Sequence, residues 1–170
     1  EVYEESYKWA KKYSESLTKL IEKDPEYYKS ILNIEREQEK PRKDIEKYSS
    51  IYNHIWYMYD ELYKDYEYEW IDFSNKEEIT SILKTYIEKY YNESDDKETW
   101  FNKIKELTKE LGYADNMKEY KKNKELYKGN VADISTVLRV ALTSKRNTPD
   151  LYEIMRLLGK ERISKRIASL

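Results

Sequence analysis

An all-α fold of two adjacent helical bundles is the class this sequence predicts, and three observations predict it. Apolar residues recur at the helical period along most of the chain. The 170 residues include only three glycines and three prolines, too few for the tight turns that a set of hairpins needs. Charged and apolar residues each make up 39%, the balance of amphipathic helices whose outer faces meet water. This length suffices for one good core or two small ones.

In chain order, residues 1–23 place Trp9, Tyr13, Leu17, Leu20 and Ile21 on one face of a helix. Asp24-Pro25 ends it and starts the next, because proline suits the first helical position and not the interior. Tyr28, Ile31 and Leu32 repeat the spacing there. The chain opens on Glu1 inside a helical pattern and not on a methionine, so it is expected to be a piece of something longer, to which these helices connect. Glu35 to Asp44 reads as a charged connector interrupted by Pro41. Arg36, Lys40, Arg42 and Lys43 in it are candidate phosphate contacts, although a charge run of this kind is more often a solvated face.

A long aromatic helix is expected over Ile45 to Trp70, with Ile51, Ile55, Met58, Tyr59, Leu62, Tyr63 and Tyr66 in helical register and packed in a core. Ser74-Asn75-Lys76-Glu77 has the spacing of a capping box. It introduces the most regular helical pattern in the chain, Ile79, Ile82, Leu83, Tyr86, Ile87 and Tyr90. A boundary just before Ser74 gives residues 1–73 as an N-terminal bundle with its connector and 74–170 as a C-terminal bundle. After a polar loop at Asn92 to Lys97, a further helix carries Trp100, Phe101, Ile104, Leu107 and Leu111 and stops at Gly112. Tyr113 to Asn130 is lysine-rich and weakly periodic, a surface excursion that closes at Gly129.

Several classes of chemistry are excluded. With no cysteine there is neither a disulfide framework nor a thiolate metal site, which fits a cytoplasmic protein. His54 is the only histidine, so there is no zinc cluster and no His-paired nucleophile, and a lone histidine on a helix is ordinarily a surface or packing residue. Neither glycine-rich phosphate cradle occurs, and no apolar run approaches the roughly 20 residues that span a bilayer. The 19 tyrosines, alongside many Lys, Asn, Ile and Glu, reflect an A/T-rich coding bias rather than 19 stacking platforms.

The net charge of −2 is not that of a protein that coats nucleic acid, but the charge is unevenly placed. Asp60 to Glu78 carries a balance of −6, and Thr136 to Leu170 a balance of +5. The face for an anionic partner is therefore at the C-terminal end.

That end is the least generic stretch. Val137, Leu138, Ala141 and Leu142 make an apolar stripe with Arg139 at its edge, and a polar loop follows at Ser144 to Asn147. Thr148-Pro149 signals a new helix, since a threonine hydroxyl can accept from a first-turn amide. Leu151, Ile154, Met155 and Leu158 continue that helix until Gly159 stops it. A helix start with free amides beside Lys145, Arg146 and Arg139 suits an anionic, hydrogen-bonding ligand. A capped helix hairpin without a ligand explains the same spacing.

Leu138-Arg139-Val140-Ala141-Leu142-Thr143, then Thr148-Pro149-Asp150-Leu151-Tyr152-Glu153-Ile154 and Leu157-Leu158-Gly159-Lys160-Glu161-Arg162, resembles the C-terminal end of bacterial glutamyl-tRNA synthetases. Arg36 to Ile45, Tyr57 to Tyr63 and Lys118 to Val131 resemble the longer form of these enzymes more loosely. The resemblance implies the anticodon-binding helical cage of a class I glutamate–tRNA ligase, with tRNA(Glu) as partner, no DNA, no membrane, a monomeric state and a cytoplasmic setting. It implies ATP and magnesium for the full-length enzyme, and for this chain no cofactor, no metal, no catalytic residue and no activity alone. By position in the motif, Arg139, Thr148, Pro149 and Leu151 are expected to read anticodon bases, with Lys145, Arg146, Arg36, Arg42 and Lys43 contacting phosphate. Leu151 fits the core stripe equally well.

Three positions depart from that pattern. Ser144 stands where glycine is usual, Thr136 where proline is often found, and Asp150 where glycine is common. The first bears on the loop, because glycine permits positive φ and serine does so reluctantly. The last puts a carboxylate in a first turn, where it suits the helix dipole and repels phosphate. Arg162-Ile163-Ser164-Lys165-Arg166 resembles the Lys-x-Ser-Lys signature with which class I synthetases hold ATP. It has no nucleotide-binding fold before it and no His-x-Gly-His partner, and a basic terminal helix accounts for it better. Open alternatives are a non-discriminating enzyme that also accepts the glutamine tRNA, a class I lysyl-type synthetase, and a helical protein-interaction module.

Overall fold

Short polar side chains set most of the helix starts. The computed structural model describes residues 2–34, 52–64, 66–70 and 75–170. The candidate phosphate contacts Arg36, Arg42 and Lys43, with Lys40 and the side chain of His54, lie outside the described residues. The fold is all-α, with no strand among the described residues beyond an isolated parallel bridge between Ala114 and Asn130.

The single helix expected over residues 1–23 is two, α1 (Val2–Tyr13) and α2 (Glu15–Lys23). Ser14 separates them. Its backbone is extended and its hydroxyl accepts from the Leu17 amide at 3.3 Å, so a residue that could ride in a helix instead caps a new one. Of the face named above, Leu17 and Ile21 are buried and Tyr13 is 62% exposed, because the break turns Tyr13 away from the register of α2. Asp24 and Pro25 behave as the sequence predicts: the Asp24 carboxylate accepts from the Tyr27 amide at 3.0 Å, and Pro25 opens α3 (Pro25–Leu32). Both α2 and α3 pack on α1. The buried Tyr28 hydroxyl donates to Ser6 Oγ at 3.1 Å, and Ser6 donates in turn to the Tyr3 carbonyl. This chain satisfies a phenol whose pKa burial raises.

The long helix expected over Ile45 to Trp70 is not formed. Its described part holds a single α turn, α4 (Tyr52–Ile55), a 3₁₀ turn at Trp56–Met58, and then non-helical chain. Tyr57, Met58 and Tyr59 are all buried. Three consecutive helical residues fan over more than half the helix circumference, so burying all three together favours a tight turn into extended backbone at Tyr59 (φ −116°, ψ 124°). The Tyr27 hydroxyl donates to the Met58 carbonyl and fixes the turn. Farther on, Tyr66, Tyr68 and Trp70 line up on alternate residues, with ring centroids 5.2 and 5.5 Å apart, a spacing of extended chain.

The most regular pattern does form a helix, α5 (Lys76–Thr85), with Ile79, Ile82 and Leu83 buried. Its cap is Asn75, whose Oδ1 accepts from the Glu77 and Glu78 amides at 3.0 and 3.4 Å; Ser74, the cap expected from the sequence, lies outside the described residues. The last turn widens to a π-helix at Tyr86–Tyr90. Asp96 caps α6 (Lys97–Glu110), and Gly112, at φ 85°, ends it as predicted. The lysine-rich excursion carries a short α7 (Met117–Lys122) and returns through the Ala114–Asn130 bridge. Gly129 is buried there, packed so closely that a Cβ would lie 2.4 Å from Asp133 Oδ2 and 3.0 Å from the Tyr113 ring. α8 (Val131–Thr143) then packs on α5 and α6.

α9 (Leu151–Ala168) is interrupted at Gly159, whose φ of 77° and ψ of 167° are not helical, so the predicted stop is real and helical residues resume after it. The chain makes two compact units, Glu1–Asp65 with Thr148–Leu158, and Tyr66–Asn147 with Gly159–Leu170. Where 1–73 and 74–170 are expected from the sequence, this division falls after Asp65 and gives the first half of α9 to the N-terminal unit. Among the described residues no helix is long and apolar enough to cross a membrane.

Candidate nucleic-acid interface

In the second unit, α8 is held at both ends. Asn130 Oδ1 accepts from the Ala132 and Asp133 amides, while Asp133 Oδ2 accepts from the Asn130 amide at 2.9 Å, a reciprocal capping box. The stripe Val137, Leu138, Ala141 and Leu142 is fully buried, and Arg139 sits half-buried at its edge as expected. At the other end the Thr143 hydroxyl donates to the Arg139 carbonyl at 2.7 Å and accepts from the Lys145 amide at 3.1 Å. Arg166, 4% exposed, donates from Nη1 to the Leu142 carbonyl at 2.7 Å, placing a cation on the negative end of the helix.

Ser144 occupies the left-handed region, φ 64° and ψ −8°, as the C-cap of α8. This is the conformation a glycine takes freely, so the departure at Ser144 falls on a position that needs positive φ. Its hydroxyl is buried, with no hydrogen-bond partner among the described residues.

The loop after Ser144 is held by a residue that the sequence reading did not single out. Glu69 donates its amide to the Ser144 carbonyl at 3.0 Å. Its carboxylate accepts from the Arg146 amide at 2.7 Å and meets the Lys145 ammonium at 3.4 Å. The alternation Tyr66-Glu67-Tyr68-Glu69-Trp70 was the available signal, since a period of two marks extended chain able to lie along a loop. The wider helical reading of that segment obscured it.

In the first unit, Thr148 donates its hydroxyl to the Pro149 carbonyl at 2.9 Å and does not cap the helix. Asp150 takes that role: its carbonyl accepts from the Ile154 amide and its carboxylate from the Glu153 amide, both at 3.1 Å. The helix starts two residues later than Thr148-Pro149 suggests because a carboxylate is the stronger acceptor for a first-turn amide. Thr148 and Pro149 are partly exposed, whereas Leu151 is 3% exposed and sits with Ile154, Met155 and Leu158 in the core.

Part of the charge of the +5 segment is already engaged within the protein. Arg166 is spent on a carbonyl, Lys145 is paired with Glu69, and Arg156 forks onto Glu153 at 2.7 and 3.1 Å. Residues Arg162 to Arg166 lie in α9 with Ile163 and Arg166 buried, a geometry that does not fit an ATP-holding loop. Among the described residues no group of His, Asp or Glu side chains is placed to hold a metal ion.

A family model for the anticodon binding domain matches residues 3–170. The chain belongs to that family. Among similar proteins, the glutamate–tRNA ligase of Acetivibrio thermocellus is 40% identical over 170 residues, which cover all of this chain and 31% of that protein. The ligase of Clostridium perfringens strain 13 is 41% identical over 169 residues, 98% of this chain and 31% of that protein. That of Sorangium cellulosum is 37% identical over 171 residues, 99% and 29%. This anticodon-binding chain thus spans less than a third of the length of these relatives and matches their C-terminal region. None of the solved structures matches it.

Proposed function

We propose that the chain reads the anticodon of tRNA(Glu) as the C-terminal part of a cytoplasmic glutamate–tRNA ligase that acts as a monomer. The observation that carries this reading is the anticodon binding domain match over residues 3–170, with relatives that are all glutamate–tRNA ligases. The parent enzyme joins glutamate to tRNA with ATP and magnesium. This chain supplies recognition and needs neither.

Single-stranded anticodon bases are read on their edges while cations hold the backbone. Arg139 offers a planar donor fork at the rim of a rigid helix. Thr148 and Pro149 offer a hydroxyl, a carbonyl and an apolar ring surface. Lys145 and Arg146 are the proposed phosphate contacts of the loop after α8. Leu151, being buried, supports its helix and contributes no surface for a base. Arg36, Arg42 and Lys43 remain proposed backbone contacts on sequence grounds.

The test is to titrate isotope-labelled chain with an anticodon stem-loop of tRNA(Glu) and follow the amide and side-chain resonances. Shifts concentrated at Arg139, Lys145, Arg146, Thr148 and Pro149 support the reading. Shifts confined to the aromatic residues of α1 would favour a protein-interaction module instead. Equal response to the glutamine-tRNA loop would identify a non-discriminating enzyme.

A further inference from the structure

Lys145 and Arg146 are the cations of the loop after α8, yet the anion that meets the Lys145 ammonium and the Arg146 backbone amide is part of the protein. Glu69 comes from extended chain 75 or more residues away in sequence and makes three contacts with this loop. Two of them involve backbone: its amide to the Ser144 carbonyl at 3.0 Å, and its Oε2 from the Arg146 amide at 2.7 Å. The third is the Lys145 ammonium, 3.4 Å from Oε1, with both side chains more than a third exposed. A carboxylate there competes with any phosphate for Lys145.

The geometry points to Glu69 as a positioning residue for the RNA-facing loop: its carboxylate fixes the loop backbone through the Arg146 amide and holds Lys145 back from phosphate, so that binding rests more on bases than on charge. This rests on the anticodon-reading proposal. Glutamine at 69 keeps a carbonyl acceptor for the Arg146 amide and removes the charge beside Lys145. Alanine removes both. The two substitutions therefore separate the two roles.

The experiment uses the whole chain as wild type, Glu69→Gln, Glu69→Ala, Lys145→Ala and Glu69→Gln with Lys145→Ala. Affinity for the glutamate anticodon stem-loop and for a loop of altered anticodon is measured across a salt series, with hydrogen exchange at the Arg146 amide. Glu69→Gln is expected to bind both loops about two- to fivefold more tightly at low salt. Its salt slope should be steeper by about 0.7, the release of one further counterion from a single strand. The gain should vanish when Lys145 is also replaced. Exchange at Arg146 should quicken about five- to tenfold in Glu69→Ala and stay near wild type in Glu69→Gln, with base discrimination lost only in Glu69→Ala.

An unchanged salt slope in Glu69→Gln, or a gain that survives Lys145→Ala, overturns the competition between Glu69 and phosphate. Equal weakening in Gln and Ala variants would reduce Glu69 to a merely structural residue and overturn the proposal. If wild type bound no loop of any sequence, the anticodon reading itself would fail. The Arg146 exchange would then decide alone whether Glu69 orders the loop, and equal exchange in wild type and Glu69→Ala would overturn that too.

Discussion

Replacing Ser144 with glycine should stabilise the protein, and its size can be worked from the geometry. Ser144 sits at φ 64° and is fully buried, and its hydroxyl has no hydrogen-bond partner among the described residues. The left-handed conformation costs an L-residue about 1–2 kcal/mol. A buried hydroxyl without a partner costs about 1–3 kcal/mol. Against these, the greater freedom of glycine in the unfolded chain offsets about 0.4–1 kcal/mol. The Ser144 amide bond to the Val140 carbonyl, at 2.7 Å, and the carbonyl that accepts from Glu69 are backbone groups and survive the change. A net gain of about 2 kcal/mol follows, which for a chain of this length raises Tm by about 4–8 °C. Ser144→Ala provides the control, because it deletes the hydroxyl and keeps the Cβ. It should recover only the hydroxyl part, leaving glycine the more stable by about 1 kcal/mol. The assay is thermal and urea denaturation of the three chains followed by circular dichroism. A glycine variant no more stable than the alanine variant would refute the strain argument, and one less stable than wild type would refute both parts.

Three other outcomes follow from local geometry. Asp150→Ala should cost about 1 kcal/mol in urea unfolding by removing the cap of α9, while Thr148→Ala costs clearly less, and the reverse order would restore Thr148 as the cap. Gly129→Ala pushes a methyl to 2.4 Å from Asp133 Oδ2, the atom that closes the capping box of α8. It should destabilise by about 1–2 kcal/mol, with faster exchange at the Asn130 amide as the marker. Hydrogen bonds from the Thr99 side chain and then its amide hold the Asp96 carboxyl below its ordinary range. A depressed folded pKa gives stability that is present above the unfolded value and is lost as pH falls through the folded one. The start of α6 should therefore loosen below about pH 4, and Asp96→Asn should flatten that part of the acid limb.

How much of this was legible in the sequence depended on whether the deciding interaction was local. α5, α6 and α8 follow from apolar spacing alone, because each buries one continuous stripe. Asp24-Pro25, Gly112 and Gly159 marked real ends for reasons confined to a few residues. Ser14 was missed because serine is tolerated inside a helix, and only packing of α2 on α1 selects the break there. The segment from Tyr57 to Trp70 was misread because aromatic residues dense enough to match a period of 3.6 also match a period of two, and burial of Tyr57, Met58 and Tyr59 together decides between them. At the candidate site, Arg139 and the need for positive φ at 144 were legible from the motif and its departures. Glu69 was not, since its partners lie more than 70 residues away in sequence. Nor was the burial of Arg166, which converts a charge counted toward an RNA surface into a cap on α8.

The measurement that bears most directly on the central claim is the affinity of the chain for the glutamate anticodon stem-loop against the same loop with its third anticodon base changed, at one fixed salt concentration, for wild type and Arg139→Ala. A preference of about 1–3 kcal/mol for the cognate loop that falls when Arg139 is replaced is the predicted result. Equal affinity for both loops, changing only with salt, would contradict base reading at the end of α8.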